Sequence, residues 1–154
     1  MGKLAVGDKA PNFEGESDGA KISLASYAGK KNVVLYFYPG DFTPICTKEA
    51  CGFRDIYEEL KGGDTEIIGV STDSDESHKK FTAEYKLPFP LLTDADKKIA
   101  RSYGATNLFA DLLGRVSRIT YVIDKAGKIS AILKSELSAS KHVDGVRAAL
   151  ASLK

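Results

Sequence analysis

Cysteine is scarce in this chain: 154 residues hold two, Cys46 and Cys51, five positions apart. That is too few for a disulfide scaffold, and a chain of this length buries enough core to need none. An excess of charge of one sign is also missing. Lys plus Arg total 22 against 21 Asp plus Glu, a net charge of +1, which gives no push toward nucleic acid, a membrane surface or a strongly charged substrate. No apolar run approaches the length that crosses a bilayer. The opening "MGKLAVGDKAPNF" has neither the apolar core of a signal peptide nor the Arg/Ser-rich character of a transit peptide. The chain as given therefore reads as cytosolic, and a processed organelle protein would read the same. No repeat, low-complexity tract or linker divides it, so one domain over 1–154 is expected. Histidine is rare too. His78 and His142 stand apart, each in a polar helical setting, and are expected to be solvated surface residues.

The patterning that is present alternates strands and helices. A polar stretch precedes "KISLASYAG", read as a short strand and a turn. "NVVLYFY" (Asn32 to Tyr38) and "TEIIGVST" (Thr65 to Thr72) are near-continuous β-branched and aromatic runs, the signature of strands buried on both faces. A helix-length segment between them makes a right-handed parallel βαβ unit. "DSDESHKKFTAEYKL" has acids first and lysines later, so a helix is predicted from near Asp75, stopped by Pro88 and Pro90. "DADKKIARSYG" reads as a short helix ended by Gly104. "RITYVIDKAGKISAIL" reads as two strands joined by Lys-Ala-Gly-Lys, and "SASKHVDGVRAALASL" as a closing amphipathic helix. The order predicts an α/β fold of thioredoxin type: a central mixed sheet flanked by helices, with extra elements at the N-terminus and before Arg118.

The cysteines fall at the start of the first helix. Thr43 is a favoured N-cap, and Pro44 suits the first helical position, where a missing N–H costs nothing. Ala50, Phe53, Tyr57 and Leu60 form an apolar stripe at helical spacing, closed by Gly62-Gly63. Cys46 then lies in the first turn, where unpaired N–H groups and the positive end of the helix dipole favour thiolate over thiol. Residues five apart on a helix are about 8–9 Å apart between Cα atoms, whereas a disulfide needs roughly 4.4–6.8 Å. A Cys46–Cys51 bond therefore requires a turn to unwind, which argues for a switching couple over a permanent staple.

Other readings stay open on the residues alone. Either cysteine could be a small buried apolar residue. Zinc fits poorly, because Cys-x4-Cys within one helix has poor geometry and no second Cys/His cluster exists. A Cys–His hydrolase would need a base beside Cys46, and neither histidine lies at the end of a predicted central strand. A thioredoxin-like reductase lacks its Cys-x-x-Cys spacing, and a non-catalytic redox sensor could use the same couple.

The motif Pro39-x-x-x-Thr43-x-x-Cys46 resembles the active-site signature of the peroxiredoxins, thiol peroxidases on a thioredoxin fold. Its continuation "CTKEACGFRD" resembles the subgroup called bacterioferritin comigratory protein or peroxiredoxin Q. The likeness extends through "GDKAPNF", "VVLYFYPGDFTP", "IIGVSTDSDESHKKF", "KLPFPLLTD" and "GRVSRITYVID". It implies Cys46 as the peroxidatic and Cys51 as the resolving cysteine, with Thr43 bonding the sulfur and the peroxide. Pro39 would shield the pocket. Arg118 would hold the thiolate, with Arg115 a nearby competitor, and Glu49 would orient the arginine. Ile45 departs from the subgroup's usual Gly. The resemblance further implies hydroperoxide substrates, an intramolecular disulfide recycled by thioredoxin or a similar dithiol, no metal or cofactor, and a monomer.

Overall fold

The computed structural model describes residues 4–62, 64–106 and 116–153. Its centre is a five-stranded mixed sheet, with an N-terminal two-stranded hairpin beside it. The hairpin comprises β1 (Glu14–Ser17) and β2 (Ala20–Ser23), and a 3-10 turn follows over Leu24–Tyr27. The chain continues through β3 (Asn32–Phe37), α1 (Pro44–Gly62), β4 (Thr65–Ser71), α2 (Asp75–Tyr85), β5 (Leu91–Thr93) and α3 (Lys98–Tyr103). It ends with β6 (Ile119–Ile123), β7 (Ile129–Lys134) and α4 (Ala139–Ala151). Spatial order across the sheet is β5-β4-β3-β6-β7. β3, β4 and β5 run parallel, whereas β6 is antiparallel to β3 and to β7.

β3 is the central strand, and its alternation divides the core. Val33, Leu35 and Phe37 face one layer with Phe13, Leu24, Ile99 and Tyr103. Val34, Tyr36 and Tyr38 face the other with Cys46, Ala50, Phe53 and Tyr57 of α1, Phe81 of α2 and Val146 of α4. Successive side chains of a strand point to opposite faces, so a strand buried on both sides must be apolar throughout. The helix α1 returns from the end of β3 to the start of β4, giving the expected parallel βαβ unit with Asn32 opposite Thr65.

Boundaries differ from the sequence reading in places. β1 lies inside the stretch read only as polar; its signal is Asp18-Gly19, both at positive φ, the dipeptide of a tight hairpin turn. The short edge strand β5 was also missed, because three residues carry too little pattern. α2 ends at Tyr85, before the prolines, because Lys86 adopts the left-handed conformation and caps the helix. Asp124 to Lys128 join β6 and β7, a longer loop than the expected four residues, with Gly127 at φ +84°.

Gly69 shows how tightly β4 packs. A Cβ there would lie 2.7 Å from Leu91 Cδ2 and 2.9 Å from the Tyr36 ring. Gly69→Ala is expected to destabilise the fold by about 1–3 kcal/mol through overpacking, read as a lower urea midpoint with unchanged m-value.

Candidate active site

β3 ends at Phe37, and the chain must turn before entering α1 at Pro44. The turn is pinned by its own polar groups. The Tyr38 hydroxyl donates to Asp41 Oδ1 at 2.6 Å, and the Asp41 amide donates to Asp73 Oδ2 at 2.8 Å. Ser77 Oγ donates to Asp41 Oδ2 at 2.8 Å, and His78 Nδ1 lies 2.8 Å from the same oxygen. Phe42 takes a positive φ of 65° and stays 46% exposed, with its ring edge-on to Phe81 at 5.0 Å. The asparagine-like backbone of a bulky residue is uncommon and marks a loop held by its surroundings. His78 is only 2% exposed, which corrects the solvated reading. Its Nε2 faces the Leu92 carbonyl at 3.1 Å, so the ring ties the loop to α2 and β5. Asp41, Asp73 and His78 are close enough to hold a cation, but their polar atoms already serve one another and Tyr38, Ser71 and Ser77. The group is therefore a loop tether.

α1 begins where expected: the Thr43 carbonyl accepts the first helical bond from the Thr47 amide at 2.8 Å. Thr43 is exposed, and its hydroxyl donates to the Gly40 carbonyl at 3.0 Å. Pro39 is exposed in the same turn. Cys46 is 1% exposed in the first turn of α1, and Cys51, one turn and a half on, is half-buried; both are free thiols. Ala50, Phe53, Tyr57 and Leu60 are buried as the stripe required.

β6 supplies the cation. Ile119 pairs with Phe37, so Arg118, one residue before β6, sits beside the end of β3 and the start of α1. Its guanidinium lies beside the Cys46 thiol and bonds Glu49, with Nη1 donating to Glu49 Oε1 at 2.9 Å. Nε donates to the Glu136 carbonyl at 3.2 Å, and the Arg118 amide donates to Glu136 Oε1 at 3.1 Å. Burial opposes the charge on Arg118, but the Cys46 sulfur and the Glu49 carboxylate outweigh it and hold the arginine's pKa above its ordinary value. Glu49 has the opposite balance. It is fully buried, and burial pushes it up to about 7 against the pull of Arg118. A buried ion pair is weak evidence for stability. Its value here is that a planar fork reaches carboxylate and sulfur together.

The structure thus brings together Cys46, Glu49 and Arg118, places Thr43 and Pro39 in the turn leading to them, and leaves Cys51 nearer solvent. Arg115 lies outside the described residues. Sequence reasoning missed Glu136 and the second histidine. His142 is fully buried, Nε2 on the Ser135 carbonyl at 2.9 Å and Nδ1 2.8 Å from Thr120 Oγ1, with Glu49 Oε2 3.5 Å away. This overturns the surface reading. The signal was available, because His142, Val146 and Leu150 recur every four residues on the inward face of α4. Nothing in the sequence points to Glu136.

A buried thiol at a helix start, beside an arginine held by a buried glutamate, is built for nucleophilic attack on a polar bond. Comparison with known proteins agrees: the AhpC/TSA family pattern matches residues 6–132. The chain belongs to that family. It is 44% identical over 154 residues to a chloroplastic peroxiredoxin Q of Sedum lineare, covering 99% of this chain and 81% of that protein. Among solved structures, peroxidoxin BcpB from Mycobacterium tuberculosis has a TM-score of 0.88 at 35% identity, covering 97% of each chain. The bacterioferritin comigratory protein of Xanthomonas campestris has a TM-score of 0.81 at 30% identity, covering 92% of this chain and 91% of its own. The protein is a peroxiredoxin with a thioredoxin-like fold, a thiol-dependent peroxidase acting on hydroperoxides. Relatives of this peroxiredoxin work in chloroplasts, and among the described residues no helix is long and apolar enough to cross a membrane.

Proposed function

We propose that Cys46 is the peroxidatic thiol and Cys51 its resolving partner, within a single domain spanning residues 1–154. The observation that carries this reading is the Arg118 guanidinium set beside the buried Cys46 sulfur and bonded to Glu49. The Cys46 thiolate attacks the nearer peroxide oxygen, the S–O bond forms as the O–O bond breaks, and Cys46 becomes a sulfenic acid. Arg118, first-turn amides and the Thr43 hydroxyl, freed from Gly40, stabilise charge moving onto the leaving oxygen. Pro39 covers the mouth of the pocket. The first turn of α1 then unwinds, Cys51 attacks the sulfenic sulfur, and water leaves as the disulfide forms. A thioredoxin-type dithiol reduces that disulfide by exchange. No metal, haem or flavin enters these steps. The Xanthomonas relative is described as reducing alkyl peroxides, which supports organic hydroperoxides beside hydrogen peroxide as substrates. The enzyme works as a monomer in a thiol-reducing compartment, the cytosol or an organelle.

Stopped-flow consumption of one equivalent of hydrogen peroxide, followed by intact mass, tests the reading. The expected product has lost two hydrogens, at a rate far above that of a free cysteine peptide. Cys51→Ser should instead gain one oxygen at an undiminished first-step rate. Retention of fast consumption by Cys46→Ser would remove Cys46 from its role.

A further inference from the structure

Glu49 leaves one oxygen unaccounted for. Oε1 accepts from Arg118, whereas Oε2 is buried and, among the described residues, has no hydrogen-bond partner. Its polar neighbour is His142 Nδ1 at 3.5 Å, and both side chains are fully buried. The ring of His142 is fixed. A carbonyl can only accept, so Nε2, 2.9 Å from the Ser135 carbonyl, carries a hydrogen. Nδ1 then takes either the hydrogen of the Thr120 hydroxyl, 2.8 Å away, or a proton. A carboxylate oxygen facing an imidazole lone pair in a dry interior is repelled, and one proton placed between them turns the repulsion into a hydrogen bond.

We propose that Glu49 Oε2 and His142 Nδ1 hold one proton between them beside Arg118 and Cys46, which makes His142 a positioning residue of the peroxidatic step. This rests on Cys46 being the peroxidatic thiol. The charge count favours it. With the Cys46 thiolate, the Arg118 cation and the Glu49 carboxylate, the buried cluster carries one net negative charge without the proton and none with it. Without it, Arg118 is drawn to Glu49 and away from the sulfur.

Among the described residues, few other ionisable groups face the pair. Glu136, following β7, adds negative potential and raises both partners. Tyr36 of β3, near Glu49, Cys46 and Cys51, is held neutral chiefly by burial. Burial raises Glu49 and lowers His142, so the shared proton sits on the carboxyl side.

Oxidation reverses the balance. The thiolate forms an S–O bond, the O–O bond breaks, and an alkoxide or hydroxide leaves needing one proton. Sulfur loses two electrons and the peroxide gains them. Cys46 is then a neutral sulfenic acid, so the cluster with its proton would carry a net positive charge. Release of that proton restores neutrality and supplies what converts the leaving oxyanion to alcohol or water.

The test uses a Cys51→Ser background, which stops at the sulfenic acid. Infrared difference spectra, oxidised minus reduced at pH 6, should show loss of a protonated-carboxyl C=O stretch and gain of a carboxylate. Both signals should vanish with Glu49→Gln. His142→Asn offers Oε2 an N–H donor in place of an acceptor. It should abolish the C=O signal and slow the single-turnover rate about tenfold, one unit of protonation bias. An indicator dye should then report a proton drawn from solvent for each peroxide consumed, where the background draws none. His142→Gln serves if the Asn variant does not fold, and the background spectrum needs no His142 variant at all. A reduced protein without the C=O signal overturns the proposal, as does a His142→Asn protein with unchanged spectrum and rate. Failure of the underlying assignment looks different, because the Cys51→Ser protein would then not consume peroxide rapidly.

Discussion

Replacing Arg118 by Met is expected to slow peroxide consumption by on the order of 10²–10³-fold, the loss seen when one preorganised charge-stabilising donor is removed. Three contacts end together: the electrostatic contact with Cys46, the bond to Glu49 Oε1 and the bond to the Glu136 carbonyl. Loss of a cation beside a buried acid usually destabilises strongly, because a charge is left alone. Here the acid has an escape. Burial already holds Glu49 at about 7 despite Arg118, so without the arginine it stays protonated at neutral pH. The fold should survive, with a change of about 1–3 kcal/mol from the lost hydrogen bonds. Arg118→Lys should recover only part of the rate, since one ammonium cannot span sulfur and carboxylate as the guanidinium does. Single-turnover kinetics and urea unfolding on the same samples separate the two effects. A Met variant with full rate would remove Arg118 from the chemistry.

The second large effect is on pH and the first turn of α1. Glu49 lies between the two cysteines, so unwinding that lets them meet also takes Glu49 from its buried place into water. Its pKa is about 7 when buried, mainly by desolvation, against an ordinary 4.5. The wound state therefore binds the proton more tightly than the unwound state. For a raised acid, the stabilisation is full below 4.5 and is lost as pH rises from 4.5 through 7. The span is 7 − 4.5 = 2.5 units, or roughly 3.5 kcal/mol at about 1.4 kcal/mol each. Amide hydrogen exchange of residues 46–51 in the reduced protein, corrected for intrinsic rates, should lose on the order of 10²-fold protection across that window. Glu49→Gln should flatten the dependence, because an amide does not titrate. Constant protection from pH 4.5 to 7 in the wild type would refute the linkage.

How much of this was legible beforehand follows from where the information lay. Strands β3 and β4 and the start of α1 were readable because their determinants are local: β-branched runs, a Thr-Pro helix entry and a four-residue apolar stripe. β1 and β5 carry almost no periodicity, one being four polar residues and the other only Leu-Leu-Thr. The two histidines misled for a related reason. Polar neighbours on the helix surface suggested water, but His142 shares its face with Val146 and Leu150, and His78 with Phe81. Burial of a helix face is decided by what packs against it.

The sequence by itself determined the βαβ core, the place of Cys46 in the first turn of α1 and the distance problem that forces unwinding before Cys51 can reach it. Those follow from chain geometry over six residues. Only the tertiary structure set Arg118 beside Cys46 and buried Glu49 against His142. Antiparallel pairing of β6 with β3 carries Arg118 across 72 residues of chain to Cys46, and the packing of α4 on α1 brings His142 to Glu49. Contacts between segments far apart in sequence leave no periodic trace, because each partner obeys only its own helix or strand.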